Sequence, residues 1–306
     1  MKILIISGGV SSERHISFLS AREVRKALKK LNHQVSIFDL QEGREQMKKE
    51  ITNYDLIFPV LHGEEGEGGT LHQQLKKFGK PVVGGDYHGY KTGWYKVPFK
   101  RFCQKQNILT AAWKKVEDSK DLVRFGFPSV LKSSGGGSSK EVVILLEKSD
   151  LNKYSTRKLL KNKHDLFVEE YLKGTEVTAG VLGNRVLPLI EIVPPRGEWY
   201  DYRNKYSGPT RLVPHAPSLE ESLRKEIGEI ALKIHQILSL GPVSRTDFIV
   251  YRNQPYALEV NTIPGLTSHS LYPKAALAAG LSFEQMINEF ILISLTGLNL
   301  KKGANI

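Results

Sequence analysis

Two short runs in the last third of the chain carry the side chains best suited to chemistry. SRTDFIVY sets Arg245 and Asp247 two residues apart, and YALEVN sets Glu259 and Asn261 two residues apart. If both runs are strands, period-two geometry projects each pair from one face. A carboxylate from each strand with an amide oxygen is a hard-oxygen set, suited to magnesium bridging phosphate oxygens and unsuited to zinc. Arg245 beside them supplies positive charge for a phosphoryl group or an oxyanion. The same residues could instead form a cross-strand ion-pair network on a solvated face. The Thr-Ile-Pro-Gly that follows favours a site, because Gly265 can bring its backbone N–H close to a ligand.

A second candidate lies upstream. Lys132 ends an apolar run and leads into Ser133-Ser134-Gly135-Gly136-Gly137-Ser138-Ser139, whose amides could close over phosphates. A flexible linker has the same composition, but here the segment lies between two strands expected to pair. It fits neither the Walker A pattern nor G-x-G-x-x-G, so a P-loop enzyme or a dinucleotide oxidoreductase finds little support. Gly8-Gly9, after the first apolar run, either cradles an anion or makes a turn. His62 in LHGEEGEGG falls at the carboxyl end of an expected parallel strand, where α/β proteins bind ligands. A purely structural histidine is the alternative there.

The elements that must hold these groups follow from periodicity. KILIIS reads as a strand, Ser11-Ser12-Glu13 as cap material, and the stretch to about Lys30 as a helix with Ile16, Leu19, Val24 and Leu28 on one side. HQVSIFDL, YDLIFPVLHG and KPVVGG read as further strands between Lys-, Glu- and Gln-rich helices, so residues 1–93 predict an α/β domain with a parallel sheet. Residues 94–173 predict a small α+β unit: a basic helix over 94–106, the strands AAWKKV, PSVLKSS, EVVILL and LFVEEYL, and one helix over 150–161. Residues 174–306 predict a third unit. It opens with a hairpin, EVTAGVLG and RVLPLIEIVPP, turning at Gly183-Asn184. A Gly-, Pro- and Tyr-rich stretch then runs to Pro217, a loop length that is usually functional. A helix over 219–238, the strand pair joined at Arg252-Asn253-Gln254 and two C-terminal helices complete it.

Composition sets the outer limits. The 306 residues, 40% hydrophobic and 25% charged, suit a globular chain of two or three domains. No apolar run approaches the roughly 18–20 residues of a membrane span. MKILIISGG lacks a basic leader and a cleavage site, so it reads as a first strand, and the cytoplasm is the expected compartment. The single cysteine, Cys103, excludes an internal disulfide and a thiolate zinc site. Lys and Arg outnumber Asp and Glu by 44 to 32, a net +12. The basic residues are scattered, with no nucleic-acid motif, so most of the excess reads as solvated helix faces and no nucleic-acid partner is expected.

The motifs together resemble one family over essentially the whole chain. GGVSSERHIS (8–17), LHGEEGEGGTL (61–71), YDYRNKY (200–206), SRTDF (244–248) and EVNTIPGLTSHSLYP (259–273) are similar, in order and spacing, to the signatures of the D-alanine–D-alanine ligases of the ATP-grasp superfamily. The resemblance implies a three-domain ATP-grasp fold, commonly dimeric, that joins two D-alanines for peptidoglycan precursors. ATP would lie between the second and third units, and the amino acids where all three meet. By position, Lys96, Lys132 and Ser139 would contact ATP phosphates, Glu169, Glu170 and Leu172 would line the adenine, and Glu176 would hold the ribose. Asp247, Glu259 and Asn261 would bind two magnesium ions, with manganese as a substitute. Glu13, with His62 nearby, would receive the ammonium of the first D-alanine, and Lys205, Ser270 and Leu271 would face the second. Arg245 and the Gly265 amide would stabilise the oxyanion, while Tyr206 and Ser138 would join Glu13 in a triad that closes the loop at 194–217 as a lid.

The implied chemistry suits these residue types. A carboxylate acylates poorly at neutral pH, so it first takes the γ-phosphoryl group of ATP, and an amine then displaces phosphate from the acyl phosphate. That intermediate hydrolyses in open water, which is why a lid is needed. Three places depart from the family pattern. Ser133 stands where the phosphate loop usually has Pro and Glu141 where it usually has Gly, unless the loop is shorter by about two residues. Glu67-Gly68 replaces Glu-Asp, and Trp94-Tyr95 replaces Met-Asp. The rival readings are a sister ligase with another acceptor, such as D-lactate, and a nonenzymatic nucleotide-binding descendant.

Overall fold

The computed structural model describes residues 1–137, 141–162, 165–195 and 209–303. The first sheet is parallel. Strand β1 (Lys2–Ser7) lies between β2 (Gln34–Asp39) and β3 (Leu56–Pro59), each aligned in register from Ile3 onward. A central parallel strand is buried on both faces, which is why KILIIS is a continuous apolar run rather than an alternating one. Ile3 and Ile5 pack with Ala21, Val24 and Leu28 of helix α1 (Arg14–Lys30) and with Phe290 from the C-terminus. Leu4 and Ile6 point the other way, onto Met47 and Ile51 of α2 (Arg44–Ile51) and onto Leu71.

Two expectations for this region change. KPVVGG makes a single parallel bridge, Ile57 to Val82, rather than a strand. Pro81 offers no N–H and Gly84 turns away at φ 147°, so the ladder stops after two hydrogen bonds to Ile57. On α1 the inward stripe is Ser17, Ser20, Ala21, Val24, Ala27 and Leu28, whereas Ile16 and Leu19 are half-buried. Small residues let the helix sit close, and their hydroxyls fasten the joints: Ser17 Oγ accepts from the His62 amide at 2.9 Å and Ser20 Oγ from the Leu266 amide at 3.2 Å.

Two short helices follow His62: α3 (Glu64–Glu67) and α4 (Thr70–Leu75). The basic helix expected over 94–106 is two helices, α5 (Tyr87–Trp94) and α6 (Lys96–Lys105), divided at Tyr95 in extended conformation. Pro98 lies in the first turn of α6, where its missing N–H costs nothing. Beyond α6 a four-stranded antiparallel sheet runs in the order β4 (Trp113–Val116), β7 (Leu166–Glu170), β5 (Ser129–Ser133), β6 (Val142–Leu145). Its first helix, α7 (Ser119–Phe125), has no counterpart in the sequence reading. Seven residues are too few for a periodicity signal, and the helix depends on a capping box between Asp118 and Asp121. The helix expected over 150–161 is a 3₁₀ turn (Lys148–Asn152) followed by α8 (Tyr154–Asn162).

Among the described residues the third sheet has six strands. β8 (Thr175–Leu182) and β12 (Val243–Tyr251) form its middle, β10 (Ile190–Val193) and β11 (Arg211–Pro214) one side, β13 (Gln254–Asn261) the other edge, and β9 (Arg185–Val186) closes the hairpin with β8. Arg252 and Asn253 take φ of 50° and 59° in the two-residue β12–β13 connection, the left-handed pair a tight hairpin requires. Helix α9 (Glu221–Ile237) covers this sheet, packing Ile227, Ala231 and Ile234 with Val177, Ala179 and Phe248. Burying each of the isoleucine, valine and phenylalanine side chains among them is worth about 1.5–3 kcal/mol. The C-terminal helices α10 (Leu271–Ala278) and α11 (Phe283–Gly303) complete the core shared with the first sheet. Among the described residues, no single helix is long and apolar enough to cross a membrane.

Candidate active site

The register of β12 and β13 assembles the first group read from the sequence. Arg245 lies opposite Asn261 and Asp247 opposite Glu259, with an irregularity immediately after Asp247. Opposed carboxylates repel, so positive charge has to be held near them. Asp247 has it from its own strand: Arg245 donates from Nε to Oδ1 and from Nη2 to Oδ2, both at 2.9 Å, and Thr178 Oγ1 adds a 2.5 Å bond. Glu259 Oε2 lies 3.1 Å from Lys96 Nζ, which also donates to the Gly136 carbonyl at 2.8 Å.

Two cavities meet at this point. The larger, about 420 Å³, is lined by Glu13, His62, Glu67, Trp94, Arg245, Asn261, Gly265, Ser270 and Leu271, with Ile16, Leu19 and Glu23 of α1 as one wall. The smaller, about 140 Å³, lies between the two antiparallel sheets. Lys132, Glu141, Glu169, Glu170, Glu176 and Asp247 supply its polar lining, and Val130, Val142, Ile144, Leu172, Ile249 and Leu258 its apolar lining. Lys96, Gly136, Gly137 and Glu259 line both cavities and form the passage between them. Every described residue to which the family resemblance assigns a role therefore borders one cavity or both. Ser138, Ser139, Lys205 and Tyr206 lie outside the described residues.

The larger cavity is unusually rich in buried ionisable groups. His62 is 5% exposed; its amide and carbonyl are fixed by Ser17 and Ser11, while Nε2 has no hydrogen-bond partner among the described residues. Burial pushes this imidazole below its ordinary value, which keeps it neutral. Glu67, absent from the candidates read off the sequence, is 7% exposed and accepts from the Gly63 amide at 2.7 Å. Burial, reinforced by nearby Glu13, pushes its carboxyl up to about 8. The residue after a strand-end histidine motif was visible in LHGEEGEGG, but nothing in the sequence marks it as buried. At the far end, Ser270 stands at the N-cap position of α10, but its Oγ turns back to accept from the Thr267 amide at 3.2 Å instead of bonding the helix, and a side chain at position 265 would press on that Oγ at 2.9 Å.

The smaller cavity is ordered by lysines. Glu169, 2% exposed, has one oxygen 2.5 Å from Lys132 Nζ and the other 2.5 Å from Lys100 Nζ. Burial alone would raise this carboxyl, yet the two ammonium groups hold it below the usual range. Lys100 was likewise not read from the sequence. Its signal was a lysine among the buried positions Val97, Phe99 and Cys103 of α6. Glu141 lines this cavity as well, and its carbonyl accepts from Ser133 at 3.2 Å, pairing the two departures from the family's loop.

The donor set at the passage fits a hard divalent cation. Asp247, Glu259 and Asn261 offer only oxygen, and magnesium that shares phosphate oxygens needs just one or two protein carboxylates. Among the described residues no three His, Cys, Asp or Glu side chains converge as a self-sufficient cage.

A narrow slot between two antiparallel sheets, opening onto a second cavity roofed by a parallel α/β unit, is the architecture of an ATP-grasp ligase. The family model for the D-ala D-ala ligase C-terminus matches residues 91–292. D-alanine–D-alanine ligase A of Clostridium perfringens is 34% identical over 300 residues, 96% of this chain and 98% of the relative. The Bacillus anthracis D-alanine–D-alanine ligase, solved in complex with ATP, superposes with a TM-score of 0.84 at 27% identity, covering 98% of this chain and 99% of that one. VanG, a D-Ala:D-Ser ligase from Enterococcus faecalis, gives 0.79 at 26% identity, covering 96% and 99%. The chain belongs to the D-alanine–D-alanine ligase family.

Proposed function

We propose that this protein joins two D-alanines into D-alanyl-D-alanine with hydrolysis of ATP to ADP and phosphate, supplying a peptidoglycan precursor. The observation that carries this reading is the passage: Lys96, Gly136, Gly137 and Glu259 border both cavities, so a phosphoryl group entering from one reaches a carboxylate held in the other. ATP fits the smaller cavity, its base between the apolar walls, its ribose toward Glu176 and its phosphates toward Lys132 and Lys96. Asp247, Glu259 and Asn261 would hold two magnesium ions, or manganese, which when bound offset the negative charge of the transferring group.

The amino acids belong in the larger cavity. Glu13 receives the ammonium of the first D-alanine, beside neutral His62 and protonated Glu67, which add no competing full charge at neutral pH. The carboxylate oxygen of the first D-alanine attacks the γ-phosphorus and the bond to ADP breaks. The amine of the second D-alanine, held by Ser270 and Leu271 with Lys205, then attacks the acyl carbon and phosphate leaves. Arg245 and the Gly265 amide face the oxyanion of that step. Ser138 and Tyr206 would close the site with Glu13, excluding the water that would hydrolyse the acyl phosphate. Residues 1–93, 94–173 and 174–306 serve as its three domains, and a cytoplasmic homodimer is the expected form.

Purified protein given magnesium, ATP and D-alanine should release phosphate and yield the dipeptide mass. Release only with D-serine or D-lactate as acceptor would move the chain to a sister activity, and folded protein that releases none would end the ligase reading.

A further inference from the structure

Lys100 takes no part in the chemistry above, yet it is the most deeply buried charge in the molecule's described portion that touches the nucleotide cavity's wall. It is 0% exposed and sits one helical turn beyond Lys96 on α6. Its ammonium meets Glu169 at 2.5 Å, Thr110 Oγ1 at 2.8 Å and the Ala111 carbonyl at 3.3 Å, with the Phe167 ring centroid 5.9 Å away. Lys132 shares the carboxylate from the other side, at 2.5 Å, and of the two lysines only Lys132 lines the cavity.

A lysine fully removed from water is costly unless something requires its charge. What it does here is divide Glu169 between two partners. With one oxygen on Lys100, the carboxylate gives Lys132 a single oxygen and leaves the triad with a net positive charge that only Lys132 presents to the slot. Without Lys100, Glu169 would be an undivided counter-ion for Lys132 and would draw it back from any anion in the cavity. We propose that Lys100 is a positioning residue for nucleotide binding, holding Glu169 so that Lys132 is aimed at, and keeps its charge for, the nucleotide phosphates. This rests on the nucleotide reading of the smaller cavity, but not on ligase turnover.

The test is Lys100→Met, which keeps the length and removes the charge, with Thr110→Val as a milder variant that removes one of the ammonium's acceptors. Magnesium-ADP binding is measured directly by calorimetry, alongside KM for ATP, KM for D-alanine, kcat and Tm. The expected result for Lys100→Met is a Kd for magnesium-ADP and a KM for ATP raised about tenfold. Meanwhile KM for D-alanine and kcat at saturating ATP should stay within about twofold. A lower Tm with unchanged nucleotide affinity, or an equal rise in both KM values, would show a merely structural lysine and overturn the proposal. If Lys100→Met does not fold, Thr110→Val decides: nucleotide affinity weakened about two- to threefold supports it, and unchanged affinity overturns it. Wild-type protein that binds magnesium-ADP without turning over D-alanine would defeat the ligase reading alone.

Discussion

Glu169 and Glu67 are both nearly inaccessible carboxylates, one in each cavity, and their environments push them in opposite directions. Glu169 lies between two lysines and is held below the usual range; Glu67 has a backbone amide and a carboxylate neighbour, Glu13, and is pushed up to about 8. Burial is the largest influence on both and acts the same way on both. The sign is therefore decided by the company each group keeps. The nucleotide side is built as matched charge, acid against lysine or arginine, ready for a polyanion with its cations. On the substrate side the two buried groups beside Glu13, His62 and Glu67, are neutral, which leaves Glu13 to meet the ammonium of a zwitterion.

The largest expected effect comes from unmatching the passage. Glu259→Gln removes an anionic oxygen facing both cavities, and magnesium-dependent phosphate release should fall on the order of 10²–10³-fold with Tm little changed. Activity within a factor of two would remove Glu259 from the site. Arg245→Met should be of comparable size but read in stability instead of rate: it leaves Asp247, 6% exposed, with Thr178 as its remaining described hydrogen-bond donor, and chemical denaturation should show a loss of about 3–5 kcal/mol.

Glu67 sharpens the other half. The unfolded chain releases this proton near 4.5 and the folded protein near 8, so the folded state holds the extra proton between those values and stability falls as pH rises through the window. Glu67→Gln removes that penalty while its amide oxygen can still accept from Gly63. Its Tm should nearly equal wild type at about pH 4.5 and exceed it at about pH 8; a difference that does not depend on pH would mean Glu67 titrates normally. The smallest effect is the baseline for an ion pair without burial. Lys48 and Glu45 pair on the exposed face of α2, and Lys48→Ala should change stability by less than about 0.5 kcal/mol in thermal melts.

How much of this was legible in the sequence depended on the length scale of each signal. The strand pair and its two-residue spacings were readable, but their register was not: a regular hairpin from the Arg252-Asn253 turn would set Asp247 opposite Leu258, and the irregularity after Asp247 shifts the ladder by one residue to bring Glu259 opposite it. The family motifs located the cavity linings. What periodicity missed was set by tertiary contact. Ile16 and Leu19 looked like core on a helical wheel, but α1 packs through Ser17, Ser20 and Ala21, which turns the larger side chains toward the cavity. Lys100 and Glu67 appear as ordinary surface charge in the sequence, and only packing reveals them as buried. KPVVGG had strand composition without the N–H groups to extend a ladder.

The central claim is that a carboxylate in the larger cavity is phosphorylated through the passage. D-alanine labelled with heavy oxygen in its carboxylate, incubated with the protein, magnesium and ATP, tests it by mass analysis of the released phosphate. An acyl phosphate requires one labelled oxygen to leave with each phosphate as the peptide bond forms. Dipeptide accompanied by unlabelled phosphate would contradict it.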